Sequence, residues 1–251
     1  MDADKKQERG GIVGALGQFA VVIAIVLLTK TVAAEAYYVP SGSMLPSLLI
    51  GDQLLVTKFP YGYSRYSLPV PLAPASTERL LGKLPQRGDV VVFRLPRDPS
   101  QTYVKRVVGL PGDRVQMREG RLWLNGKMAP LQRAGVGQME TENGVLTAPR
   151  FIETLNGREH PIFKLRWDGE LDNTQEFVVG QDQIFVMGDN RDDSADSRLA
   201  PMAGGVGFVP VENLVGRVDA IIGSWDPIVR HDPVWTWPSG LRLSRFFSRV
   251  N

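Results

Sequence analysis

Tyr37-Tyr38-Val39-Pro40-Ser41-Gly42-Ser43-Met44-Leu45-Pro46-Ser47-Leu48-Leu49-Ile50-Gly51-Asp52 decides how this chain is read. Pro40 and Pro46 fix the backbone on either side of two serines, and Gly42 between them permits a close turn. Such a segment presents a hydroxyl in a rigid, exposed place. A serine is a weak nucleophile unless a base takes its proton. The remaining sequence is therefore searched for that base.

Immediately before this stretch, residues 12–36 form a 25-residue run that is mostly apolar, interrupted by Gln18, Lys30 and Glu35. A membrane span needs about 20 residues. Lys5, Lys6 and Arg9 precede the run and Lys30 alone follows its apolar centre. This bias sets residues 1–11 as a cytoplasmic tail, residues 12–36 as a transmembrane anchor, and the rest outside. A basic start, an apolar middle and Ala34-Glu35-Ala36 also fit a cleaved leader. Both readings put residues 37–251 outside the cytoplasm. The C-terminal stretch from Val234 to Phe247 mixes tryptophans, leucines and arginines, and is read as a packed tail or an interfacial segment.

The 251 residues contain no cysteine and two histidines. Thiol chemistry and disulfides are excluded. The net charge of +2 is spread without basic blocks, which speaks against nucleic acid. With 26 glycines and 18 prolines, turns are frequent, as in a β-rich fold. Strands are expected at 53–58, 89–94, 102–108, 113–118, 121–125, 183–187 and 213–222. Glu119-Gly120 and Asn125-Gly126 are turn signals. Residues 37–126 and 181–251 are expected to form a β core, with 127–180 an inserted lobe. Residues 61–87 look like an extended loop.

His160 and His231 sit in polar, turn-like settings and are expected in surface loops. Lysine is the alternative base, provided burial removes its charge. Lys105 lies in Thr102-Tyr103-Val104-Lys105-Arg106-Val107-Val108-Gly109-Leu110-Pro111-Gly112-Asp113. Spacing alone leaves two readings open, an exposed strand lysine or a base. Met187-Gly188-Asp189-Asn190-Arg191-Asp192-Asp193-Ser194-Ala195-Asp196-Ser197-Arg198 follows an apolar strand. It is either a solvated turn or part of a site. It lacks the spacing of a calcium loop.

These segments, in this order, together with Gly88-Asp89-Val90-Val91-Val92-Phe93 and Trp237-Pro238-Ser239-Gly240-Leu241-Arg242-Leu243-Ser244-Arg245, resemble the bacterial type I signal peptidases. The resemblance implies a mainly β fold behind an N-terminal transmembrane helix, in the bacterial inner membrane with the catalytic domain on the extracytoplasmic face. It implies a serine endopeptidase that cuts signal peptides after small-x-small sites, with no cofactor or metal. Its partners would be preproteins, the lipid bilayer and the secretion machinery. Ser43 would be the nucleophile and Lys105 the general base. Ser41 would complete the oxyanion hole with the Ser43 N–H, and Ser194 would hydrogen-bond Lys105. Asp189 with Arg106 and Asp196 with Arg198 would be supporting ion pairs. Tyr37, Val39, Leu48, Leu54 and Val104 would shape shallow substrate pockets. Asp193 stands where the family often has Asn, and Ser47 where Thr is common. A conjugation- or pilus-type processing peptidase and a non-catalytic membrane-anchored binding domain are the alternatives.

Overall fold

Val90-Val91-Val92-Phe93 has no polar face, and a strand of that composition must be covered on both sides. The computed structural model, which describes residues 17–23, 26, 33–67, 79–141 and 144–250, places it between two separate cores. The strands among these residues are, in chain order, β1 (Ala34–Tyr38), β2 (Asp52–Thr57), β3 (Val90–Leu95), β4 (Asp98–Gly109), β5 (Arg114–Arg118), β6 (Arg121–Leu124), β7 (Lys127–Met128), β8 (Leu131–Thr141), β9 (Gly144–Leu155), β10 (Arg158–Phe163), β11 (Phe177–Val178), β12 (Gln183–Met187), β13 (Val209–Pro210), β14 (Leu214–Ser224) and β15 (Ser248–Arg249). Along β3, Val90 and Val92 join one buried cluster with Val39, Met44, Leu48 and Leu54. Val91, Phe93 and Leu95 join another with Tyr61, Val107, Ile184 and Val186. This is the period-2 alternation of a strand sandwiched between two layers.

The main sheet runs β1-β2-β14-β3-β4-β12-β13, with β15 on β14. Neighbours along this path are antiparallel. The pairing of β14 with both β2 and β3 shifts register, and such bulges bend a sheet. Gly216 sits in this stretch, where a Cβ would come within 2.3 Å of the Thr57 carbonyl oxygen. A second sheet runs β11-β5-β6-β7 and a third β10-β9-β8. Strands β5 and β6, expected within the core range, therefore hydrogen-bond to β7 and β11 and not to the main sheet. Glu119-Gly120 and Asn125-Gly126 do turn the chain, with all four residues at positive φ. Asn156-Gly157 makes a third such turn, between β9 and β10.

Two expectations change. The anchor expected over residues 12–36 cannot be helix to its end, because Ala34–Ala36 belong to β1 and pair with β2. Residues 17–23 are helical, and much of the expected span lies outside the described residues. No helix among the described residues is long and apolar enough to cross a membrane. His160 is not in a surface loop. It is a buried residue of β10, with Nε2 3.4 Å from Glu153 Oε2. The polar run Arg158-Glu159-His160 hid a strand that pairs along β9. Of the loop expected at 61–87, residues 68–78 lie outside the described residues. Flanking it, Tyr63 and Leu80 form an isolated bridge.

Phe185 of β12 is fully buried and packs edge-on or tilted against Phe177 and Phe208. Replacing it with Ala should lower stability by roughly 3–5 kcal/mol, the usual cost of emptying an aromatic core site. Urea unfolding of the variant measures this directly.

Candidate active site

The turn carrying the two serines is fixed from both ends. Val39 N–H donates to the Asp52 carbonyl at 2.9 Å and Gly51 N–H to the Val39 carbonyl at 3.0 Å. Gly42–Met44 then forms one 3-10 turn with Ser41 at its N-cap in extended conformation. Met44 and Leu45 are buried and hold the turn down like pegs. Asn190 binds the other side, its N–H donating to the Ser43 carbonyl at 3.1 Å and its Nδ2 to the Gly42 carbonyl at 3.2 Å.

Lys105 comes from β4, opposite Val91 of β3. Its side chain is 3% exposed, and Nζ lies 2.7 Å from Ser43 Oγ and 3.1 Å from the Val104 carbonyl oxygen. The Tyr103 ring stands 5.5 Å away. Burial pulls the lysine amine down from 10.5 to about 8, against the carboxylates of Asp196, Asp189 and Asp193, which favour its charged form.

Two of those carboxylates are matched by buried arginines. Arg106 donates to both oxygens of Asp189, at 2.8 and 2.7 Å, and Ser47 Oγ adds a third bond at 2.5 Å. Arg198 donates to both oxygens of Asp196 at 2.9 Å, and the Gly188 N–H donates at 3.0 Å. Burial alone would raise both carboxyls. The arginines and hydrogen bonds reverse that and hold each below the ordinary carboxylate value. Gly188 is obligatory: a Cβ there would stand 2.2 Å from Ser194 Oγ and 2.4 Å from the Ser43 carbonyl oxygen.

Ser43 and Lys105 open into a cleft of about 610 Å³ lined by Tyr37, Ser41, Leu54, Val104, Asp193 and Ala195 among others. Its two long walls are strand edges. Among the described residues β1 pairs with β2 alone, and β12 covers β4 only over Arg106–Gly109. The edge at Thr102–Lys105 is left open.

The sequence-derived residues are thus distributed as follows. Ser43 and Lys105 meet, and Ser41 lines the same cleft. Ser194 is beside them, but its buried Oγ makes no hydrogen bond, where one to Lys105 was expected. Tyr37, Leu54 and Val104 line the cleft. Val39 and Leu48 are buried in the core beneath it and do not line it. Spacing puts Tyr103 on the same strand face as Lys105, two residues before it, but sequence reasoning did not name it as a cleft residue. That reasoning also missed two clamps on the Gly188–Arg198 loop. Arg191 makes a bidentate, buried pair with Glu153 of β9. Lys164, itself buried, bridges Asp172 and Asp192. Lone charges in segments far apart in the chain gave no signal of these pairings.

A family model described as signal peptidase, peptidase S26, matches residues 12–225. The chain belongs to this family. A signal peptidase I of Rickettsia conorii is 38% identical over 254 residues, covering 93% of this chain and 91% of that protein. One from Rickettsia typhi is 36% identical over 270 residues, covering 100% and 98%. A solved signal peptidase I from Enterococcus faecalis V583 aligns at 25% identity and a TM-score of 0.31, over 54% of this chain and 97% of its own. As a member of the signal peptidase family the chain is a peptidase, an enzyme of the hydrolase class.

The buried lysine has a stability cost. The unfolded chain keeps the Lys105 proton up to about 10.5 and the folded one only to about 8, so stability rises with pH across that window. Lys105→Met should therefore stabilise the protein by roughly 3 kcal/mol at neutral pH, with the gain fading towards pH 10.5. Denaturant unfolding at both pH values tests this. Gly188→Ala should displace the Ser43 turn and abolish activity, since its Cβ would collide with the Ser43 carbonyl oxygen.

Proposed function

We propose that the chain is a membrane-bound serine endopeptidase that removes signal peptides from exported preproteins through a Ser43/Lys105 dyad. The observation that carries this reading is the 2.7 Å approach of a buried lysine amine to the Ser43 hydroxyl. Neutral Lys105 takes the Ser43 proton as Oγ attacks the scissile carbonyl. The oxyanion is stabilised by the Ser43 N–H and by the Ser41 hydroxyl, which has no cap bond of its own. Collapse releases the mature chain, with Lys105 returning the proton to the leaving amine. Lys105 then activates water to hydrolyse the acyl ester. Ser194 Oγ, buried and without a partner, can turn towards the lysine and fix its direction.

The substrate enters as an extended strand between the open edges of β1 and β4. Tyr37, Leu54 and Val104 form the apolar wall against which the small side chains of a small-x-small site pack. The relatives' name, signal peptidase I, supports the substrate class. The apolar N-terminal run supports an inner-membrane anchor with the catalytic part on the extracytoplasmic face, next to the bilayer and the secretion machinery.

Cleavage of a preprotein with an Ala-x-Ala junction, in detergent, tests the reading. Wild type should cut it, while Ser43→Ala and Lys105→Ala should each lose at least about a thousandfold. The wild-type rate should rise with pH and reach half its maximum near pH 8, as Lys105 loses its proton. Wild-type activity in Lys105→Ala would remove the lysine from the mechanism.

A further inference from the structure

The loop Gly188–Arg198 carries four aspartates, and three of them are matched by buried cations. Asp189 pairs with Arg106, Asp192 with Lys164 and Asp196 with Arg198. Asp193 has no ion pair and no side-chain hydrogen bond among the described residues. It is exposed, yet it lines the same cleft as Ser43 and Lys105. Its place is fixed by its neighbours. Its N–H donates to the Asn190 carbonyl at 3.2 Å, Asp192 before it is held by Lys164, and Ser194 after it is buried.

Topology says where along the cleft this charge sits. Tyr37, Leu54, Val92 and Val104 form the apolar part. Lys105 follows Val104 on β4, and beyond it β4 is covered by β12, with Met187 opposite Arg106. The loop bearing Asp193 leaves from that end of β12. The order along the cleft is apolar wall, reactive pair, free carboxylate. A peptide whose small side chains occupy the apolar part and whose scissile carbonyl meets Ser43 must carry its next residues past Asp193.

We propose that Asp193 is a specificity-determining residue that reads charge on the substrate residues following the cut bond, favouring basic over acidic side chains there. This rests on the endopeptidase reading above. Every other carboxylate of the loop is spent on holding the loop in place, so the loop presents one net negative charge to the cleft. That charge sits at a wet rim, so its influence is moderate and weakens with salt.

The test uses full-length protein in detergent and three preproteins with one Ala-x-Ala junction, differing only by Lys, Gln or Glu at the second residue after the cut. Wild type should cut them in the order Lys, Gln, Glu, each step about fivefold in kcat/KM at low salt, as expected for unit charges across a hydrated gap. Asp193→Asn should level the series and Asp193→Lys should invert it. Because each comparison is made within one enzyme, a change in Lys105 basicity does not move the ratios. Cleavage of the Gln preprotein reports that each variant is folded. An unchanged order in Asp193→Asn would overturn the proposal while leaving the endopeptidase reading intact. Failure of wild type to cut any of the three would overturn both.

Discussion

A lysine can serve as a base only while uncharged, and in the proposed dyad that constraint bears on everything around Lys105. Desolvation lowers its amine, but two buried aspartates and one exposed aspartate stand close enough to oppose the effect. The fold answers with arginines. Arg106 pairs with Asp189 and Arg198 with Asp196, and Arg198 itself opposes the carboxylates' pull on the lysine. The same ion pairs fix the loop geometrically. Breaking either would leave an uncompensated buried carboxylate, which is costly on its own and would also raise the lysine amine.

The loop's position also depends on strands far from it in sequence. Glu153 on β9 grips Arg191, and Lys164, just after β10, grips Asp192. The β8–β10 sheet thereby acts as a buttress for the reactive pair. Gly188 lets the loop lie against the Ser43 turn without a side chain between them. Three layers of contact, core, ion pairs and turn, converge on a hydroxyl and an amine 2.7 Å apart.

Much of this was legible in the residues. The strands at 53–58, 89–94 and 183–187 were readable from β-branched runs bounded by turn residues, and each lies within a residue or so of its observed place. The serine turn, the lysine and the ion pairs came from segments read jointly, since none was decisive alone. What could not be read depends on tertiary pairing. His160 looks like a turn residue because its polar neighbours mask a strand whose inward side chains meet Glu153. Val39 and Leu48 are as apolar as Leu54, and only the folded structure separates Leu54, which lines the cleft, from the other two, which do not. The end of the apolar run at Ala34 could not be told from helix, because Ala carries no strand signal; its pairing with Thr57 makes it one.

The most direct test is the titration of the Lys105 amine itself, followed by NMR in protein carrying isotope-labelled lysine and assigned with Lys105→Met. The account predicts that the Lys105 amine titrates near pH 8. A Lys105 amine that stays charged to about pH 10.5, like an ordinary lysine, would contradict the claim that burial beside Ser43 makes it available as a base.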